Sequence, residues 1–170
     1  MKILTIQNKD VLNTLKQNKI YYANRISLSE NLKEVYTMMM NHYNYVNSPI
    51  FGCIIGRYAE FYGANIENGI ILELDIPDQY VKKQVYYDWT DLIYFMEFPE
   101  EFTSCSLELD DFMLDVLNGK NTEDLDKPIQ VTFPHIDPKW LINSYEITND
   151  FTSKYYGAGG QNILKCDFAA

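Results

Sequence analysis

The apolar residues of the chain change their spacing several times, and this change limits the fold more than any other feature. Between residues 70 and 76 every second residue is apolar, and two carboxylates lie on the other face, as in a strand with one buried face. Between 28 and 43, and again between 109 and 117, apolar residues recur every three or four residues, as in amphipathic helices. The longest apolar runs are about five residues, far below the roughly 20 that a membrane span needs. No membrane partner is therefore predicted.

Capping signals and turns divide these segments into a definite order. We expect Asn8 to cap a short helix, a Ser27-x-x-Glu30 capping box to begin the longest helix, and Gly119 to end another. Strands are expected at 3–6, 20–22, 50–55, 70–76, 129–133 and 142–148. This order predicts one α+β domain over residues 1–148, with a central mixed or split sheet packed against helices. Residues 149–170 are expected to form a partly ordered tail.

The negative charge of the chain is concentrated in its middle third. The 170 residues have a formal net charge of −10. Residues 73–126 hold 15 acidic and 3 basic side chains, a net charge of −12, whereas both flanking segments are close to neutral. A nucleic-acid groove and an anionic membrane surface both require clustered Lys and Arg, so neither is favoured. The sequence predicts a basic protein partner instead, with residues 78–126 as an acidic, aromatic, helix-rich insert that faces it.

The same middle segment mixes aromatic rings with carboxylates. At a protein interface the rings would supply the buried contacts, and the carboxylates would set the encounter rate and the orientation. One version is an inhibitor that mimics the charge of nucleic acid and occupies a nucleic-acid-binding protein. The alternative is core packing with an acidic outer face. The predicted partner-binding residues are Tyr86, Tyr87, Asp88, Trp89, Asp91, Glu100, Glu101, Asp110 and Asp111.

A carboxylate pair and a histidine are further candidates for metal binding or acid-base catalysis. Glu73 and Asp75 share one face of a predicted strand, with carboxylates roughly 6–7 Å apart. They could hold a hard cation or divide acid and base roles, and with Asp88 they would make a cation-dependent hydrolase. A solvated sheet face is the more ordinary explanation of this pattern. His135 lies in a proline-bounded turn, where a histidine is either a general base or an ordinary turn residue.

The cysteines do not indicate a disulfide framework or a metal site. Cys53, Cys105 and Cys166 are odd in number and more than 50 residues apart. With only two histidines in the chain, a zinc site is not expected. The first residues predict a strand that is too short for a signal-peptide core, so we expect a cytoplasmic protein.

Several short stretches resemble a bacterial family, domain of unknown function 3841. They are residues 3–7 (ILTIQ), 71–77 (ILELDIP), 129–133 (IQVTF) and 138–141 (PKWL), together with an aspartate-tryptophan stretch at 87–92 (YDWTDL). The resemblance covers roughly residues 1–148. The family name supplies no activity.

The opening strand and helix, the ILELDIP strand and the late strand before DPKWL also resemble ADP-ribosyltransferase-type folds. This resemblance implies a split sheet whose cleft cradles NAD, with a glutamate on a late strand. Gln130 stands at the nearest matching position, and an amide can bind a ribose hydroxyl but cannot act as a base. Thr5 and Gln7 stand where a histidine or arginine often contacts NAD. The resemblance therefore implies a catalytically degenerate scaffold that binds a ligand or a protein.

The alternative implied by the same resemblance is an atypical NAD-binding enzyme or ADP-ribosyltransferase. Its cleft would be lined by Gln130, Thr5, Gln7, and Tyr21 or Tyr22. Glu73 or His135 would then supply the acid-base function. Whether the protein is an enzyme stays open at this level, and NAD is the one cofactor that the resemblance suggests.

Overall fold

A six-stranded sheet forms the centre of the fold. The computed structural model describes residues 1–24, 29–55, 68–102 and 109–147, and the sheet lies within these ranges. Its strands are β1 (Lys2–Asn8), β2 (Ile50–Ile54), β3 (Gly69–Asp75), β4 (Lys82–Val85), β5 (Ile129–Phe133) and β6 (Leu141–Glu146). They lie in the order β4-β5-β2-β1-β3-β6. The predicted α+β class is confirmed.

Every neighbouring pair of strands in the sheet is antiparallel, so the predicted mixed sheet is wrong. The physical reason lies between β1 and β2. The described part of this connection contains α1 (Lys9–Lys16) and α2 (Glu30–Tyr43), which pack into different core clusters. A connection whose helices pack into both core clusters can bring the next strand back antiparallel to the first. A single crossover helix would favour a parallel neighbour.

Among the described residues, two apolar cores hold the helices to the sheet. In the first, α1 buries Val11, Leu12 and Leu15 together with Ile3 of β1 and with apolar residues that alternate along β3. The second contains α2 and two further helices, α3 (Tyr86–Glu97) and α4 (Leu109–Leu117). Of the helices described, none has the length and apolar composition that crossing a bilayer requires.

The helix caps agree with the sequence at two positions and differ at one. The Asn8 side chain accepts a hydrogen bond from the Asp10 N–H (3.0 Å), and Gly119 follows α4 with a φ of 70°. The predicted Ser27-x-x-Glu30 box is wrong, because Ser29 is the N-cap of α2 and Glu30 is the first helical residue. The Ser29 hydroxyl accepts a hydrogen bond from the Leu32 N–H at 3.2 Å. The residue three positions after the cap is therefore a leucine, and the helix is capped without the glutamate of a capping box. Ser27 itself lies outside the described residues.

Residues 78–126 supply structural elements as well as charge. They contain β4, which pairs with β5 at one edge of the sheet and which sequence periodicity did not predict. They also contain α3, whose Trp89 and Leu92 lie in the second core. The short strand expected at 20–22 is reduced to one bridge, in which Tyr21 and Ile136 exchange two 2.9 Å hydrogen bonds. The predicted tail, residues 149–170, lies outside the described residues.

The opposite edge of the sheet is formed by β6, and a side chain occupies one of its backbone donors. The Ser144 N–H donates to the Oδ1 atom of Asn143 at 2.9 Å. The Nδ2 atom of Asn143 also donates to the Tyr145 hydroxyl at 3.2 Å. The Ser144 N–H is therefore satisfied by the side chain of its neighbour in the sequence.

Gly52 allows β1 and β2 to approach each other closely. A Cβ atom at this position would lie 2.7 Å from Ile3 Cγ2 and 2.8 Å from the Leu4 carbonyl oxygen. We therefore expect Gly52→Ala to lower the free energy of unfolding by about 1–3 kcal/mol through overpacking. Urea denaturation measures this change. Ile142→Ala, on the exposed side of β6, is the control and should change it by less than about 0.5 kcal/mol. An unchanged midpoint for Gly52→Ala would contradict the close packing.

Candidate functional site

One face of α3 exposes aromatic rings to solvent. Tyr87 is 49% exposed, Tyr94 44%, and Phe98, directly after the helix, 42%. These residues and Asp91 are spaced four, seven and eleven positions from Tyr87, which places them on one side of a helix. The rings of Tyr94 and Phe98 lie 5.0 Å apart between centroids. We call this surface, with Asp88, the α3 outer face: Tyr87, Asp88, Asp91, Tyr94 and Phe98.

The opposite side of α3 fixes the helix on the protein. The Trp89 ring lies 6.0 Å from the ring of Tyr36 in α2 and 5.7 Å from that of Phe51 in β2. The Tyr86 N–H donates to the Pro128 carbonyl oxygen at 2.9 Å, which fixes the start of the helix. The α3 outer face is therefore presented by a helix with a defined position.

The carboxylates on this face repel each other. Among the described residues, neither Asp88 nor Asp91 forms an ion pair. Partial burial, and then the charge of Asp88, raise the pKa of Asp91 above its ordinary value. A cation brought to the α3 outer face would relieve this repulsion, so the face is electrostatically suited to Lys or Arg.

More acidic residues gather beside the end of α3. The Ser29 hydroxyl donates to the Glu97 carboxylate, which joins the start of α2 to the end of α3. The rings of Phe95 and Phe112 lie 5.8 Å apart and bring the start of α4 to the same region. The acidic residues of these helix ends are Glu30, Glu97, Glu100, Asp110 and Asp111. The side chain of Glu101, also predicted to contact a partner, lies outside the described part of the chain.

Two of the predicted partner-binding residues do not lie on the surface. Tyr86 is 7% exposed and Trp89 4%, so both belong to the interior and position α3 without facing a partner. Tyr94 and Phe98 were missed. Helical periodicity could have identified them. If Trp89 and Leu92 face the core, residues 94 and 98 lie on the opposite side of the helix.

The residues predicted for an NAD cleft are only partly brought together. Thr5 is buried, donates to the Phe51 carbonyl oxygen and accepts from the Gln7 Nε2 atom, both at 2.7 Å. Gln130 on β5 lies in line with Glu73 on β3, with β2 and β1 between them. The two residues are therefore three strand spacings, or roughly 14 Å, apart. Tyr22 lies elsewhere, with its ring 5.7 Å from that of His135.

Glu73 and Asp75 have separate partners. Glu73 accepts a 2.5 Å hydrogen bond from the Tyr145 hydroxyl, and Asp75 contacts the ammonium group of Met1 at 3.2 Å. Asp88, the third residue of the cation-dependent hypothesis, lies on α3. Within the described ranges, no three carboxylate, histidine or cysteine side chains are arranged to hold a metal ion together.

His135 lies among aromatic rings. Its ring is 4.7 Å from that of Trp140 and 5.5 Å from that of Tyr80. Burial lowers the pKa of His135, and the charge of Asp137 partly opposes this effect. The neutral imidazole is therefore the form that the folded protein favours.

This burial predicts a pH dependence of stability. Because the folded-state pKa lies below the ordinary value of about 6.5, the unfolded chain binds the proton first as the pH falls. The free energy of unfolding should therefore decrease as the pH falls through the unfolded-state pKa of about 6.5. Urea denaturation at several pH values measures it, and His135→Gln should remove this part of the dependence.

A second variant separates this effect from other titrating groups. Asp137→Asn keeps an oxygen for the Lys139 N–H but removes the charge that raises the pKa of His135. The loss of stability on acidification should then be larger than in the native protein. An identical pH dependence in all three proteins would contradict the role of His135.

Comparison with known proteins adds no relative to this description: no protein-family model, curated protein or solved structure matches the chain. What bears on function is therefore the chemistry of the surfaces formed by the described residues. Among these, the α3 outer face combines exposed rings with carboxylates that lack an ion pair in the described residues.

Proposed function

We propose that the protein binds a basic protein partner through the α3 outer face. The observation that carries the proposal is the exposure of Tyr87, Tyr94 and Phe98 beside Asp88 and Asp91. Rings of this kind form the centre of protein interfaces, and carboxylates beside them select Lys and Arg. An acidic interaction protein is therefore the function that this surface supports best.

The two kinds of side chain contribute differently to binding. Complete burial of a Phe-sized side chain is worth about 1.5–3 kcal/mol, so each half-exposed ring can add about half of that. An exposed ion pair is worth only about 0.2–1 kcal/mol. The rings therefore supply most of the affinity, whereas the carboxylates determine which partner is accepted and in which orientation.

The charge of the wider segment acts before contact. Residues 73–126 have a net charge of −12, and the acidic helix ends beside α3 belong mostly to this segment. Such a field increases the association rate with a basic protein and makes that rate depend on salt. An inhibitor that mimics nucleic-acid charge and occupies a nucleic-acid-binding protein is one form of this function.

The proposal predicts binding of an amphipathic helical peptide made of leucine and lysine. Tyr94→Ala combined with Phe98→Ala should weaken this binding about tenfold or more, because two ring contacts are lost. Asp88→Asn combined with Asp91→Asn should weaken it less and reduce its salt dependence. Isothermal titration calorimetry at low and high salt measures both effects.

A charge-matched variant controls for net charge. Asp124→Asn combined with Asp126→Asn removes the same two charges from the turn after α4. Its affinity for the peptide should remain within about twofold of the native value. Equal losses in the two double asparagine variants would mean that only net charge matters and would refute the proposed face. A glutamate-leucine peptide should not bind.

The second candidate is an NAD-binding protein on an ADP-ribosyltransferase-like scaffold. One observation favours it: the Nε2 atom of buried Gln130 has no hydrogen-bond partner among the described residues. A ribose hydroxyl could accept this hydrogen bond, as the family resemblance implies. Gln84 on the adjacent strand β4 is the direct cross-strand partner of Gln130, and its Oε1 atom also has no hydrogen bond from any described residue. This atom offers a simpler acceptor after a small rotation.

A thermal shift assay distinguishes these possibilities. If NAD binds, millimolar NAD should raise the melting temperature, and an assay for released nicotinamide should show whether it is cleaved. Gln130→Leu should remove the shift. The absence of any shift at millimolar NAD would eliminate this candidate and leave the protein-binding proposal unaffected.

A further inference from the structure

A polar pocket of about 300 Å³ opens where α2 and α4 end beside β4. Its lining residues are His42, Tyr43, Asn44, Lys82, Leu117 and Asn118. The pocket shares no residue with the α3 outer face, and none of its lining residues is acidic. Three of its lining residues belong to the acidic segment 73–126, yet none of these three is a carboxylate.

Lys82 is the unusual residue in this pocket. Residues 73–126 contain three basic side chains. Lys83 pairs with Glu123 at 3.6 Å, and Lys120 pairs with Asp115 at 2.5 Å. Lys82 has no carboxylate partner among the described residues, and its Nζ atom lies 5.9 Å from the centroid of the Tyr43 ring. A cation therefore remains available in the pocket although acidic residues are abundant in the segment.

The ends of the two helices do not account for Lys82. A lysine near a helix C-terminus often binds its free carbonyl oxygens. Here the Met40 carbonyl accepts from the Tyr45 N–H at 2.8 Å, and the Val116 carbonyl accepts from the Gly119 N–H at 3.1 Å. The Leu117 carbonyl accepts from the Tyr43 hydroxyl at 2.6 Å. These carbonyl groups are satisfied without Lys82.

The Tyr43 side chain forms a fixed and uncharged wall of the pocket. The Tyr43 hydroxyl donates to Leu117 and accepts a 2.7 Å hydrogen bond from the Nε2 atom of buried Gln84. Burial raises the pKa of Tyr43 to about 12, although the bond from Gln84 opposes this effect, so the phenol is neutral at physiological pH. The Tyr43 ring therefore has a fixed position beside Lys82 and adds no negative charge to the pocket.

We propose that this pocket binds a small molecule through a carboxylate or phosphate group held by the Nζ atom of Lys82. The amide groups of Asn44 and Asn118 line the same pocket and are suitable additional donors. The Nε2 atom of His42 lies 3.1 Å from the Oδ1 atom of Asn118 and orients that amide. A pocket of this size fits a small metabolite and not a polymer. The site is independent of the proposed protein-binding function.

Two probes distinguish the sources of such a group: inorganic phosphate and succinate. At constant ionic strength, at least one should cause saturable changes in the ¹H–¹⁵N spectrum at the amides of Asn44, Lys82 and Asn118. Lys82→Gln should weaken binding at least tenfold, whereas Lys82→Arg should retain most of it. Preference for phosphate would identify a phosphate ligand, and preference for succinate a carboxylate ligand.

The neighbouring lysine is the matched control. Lys83→Gln removes the same charge one residue away, from a side chain that is already paired with Glu123. Its dissociation constant should stay within about twofold of the native value. If neither probe binds, or if both lysine variants weaken binding equally, the assignment of this pocket is overturned.

Discussion

The contact of Trp89 with Tyr36 and Phe51 is the interaction on which the proposed surface depends. It joins α3 to both α2 and the sheet, and it determines which side of α3 meets the core. The opposite side must then remain in solvent, with its rings and carboxylates together. The acidic segment consequently has two structural duties, since it completes the second core and also presents a charged aromatic surface.

Much of the fold could be predicted from the sequence because most elements have one buried face. The alternation of Ile70, Leu72 and Leu74 and the helical spacing around Val116 each correspond to an observed element. β4 could not be predicted, because Lys82, Lys83 and Gln84 do not show the apolar alternation of a strand. Strand direction was also beyond reach, since it depends on which layer each helix joins.

The candidate site was predictable in location but not in detail. The charge distribution points to the same segment that contains the α3 outer face, yet adjacent tyrosines have opposite environments: Tyr86 is buried and Tyr87 exposed. Only the phase of the helix separates them. The pocket around Lys82 could not be foreseen, because it depends on helix ends far apart in sequence and on which lysines find a carboxylate partner.

The edge formed by β6 has a consequence for the behaviour of the protein at high concentration. Among the described residues, no strand pairs with the outer edge of β6. A strand edge that is left open is a template onto which another polypeptide can add and extend a sheet between molecules. The Asn143 side chain already occupies the Ser144 N–H, so an incoming strand would have to displace it to form a continuous ladder. A single asparagine thus helps to end the sheet within one molecule and opposes the growth of fibrillar aggregates.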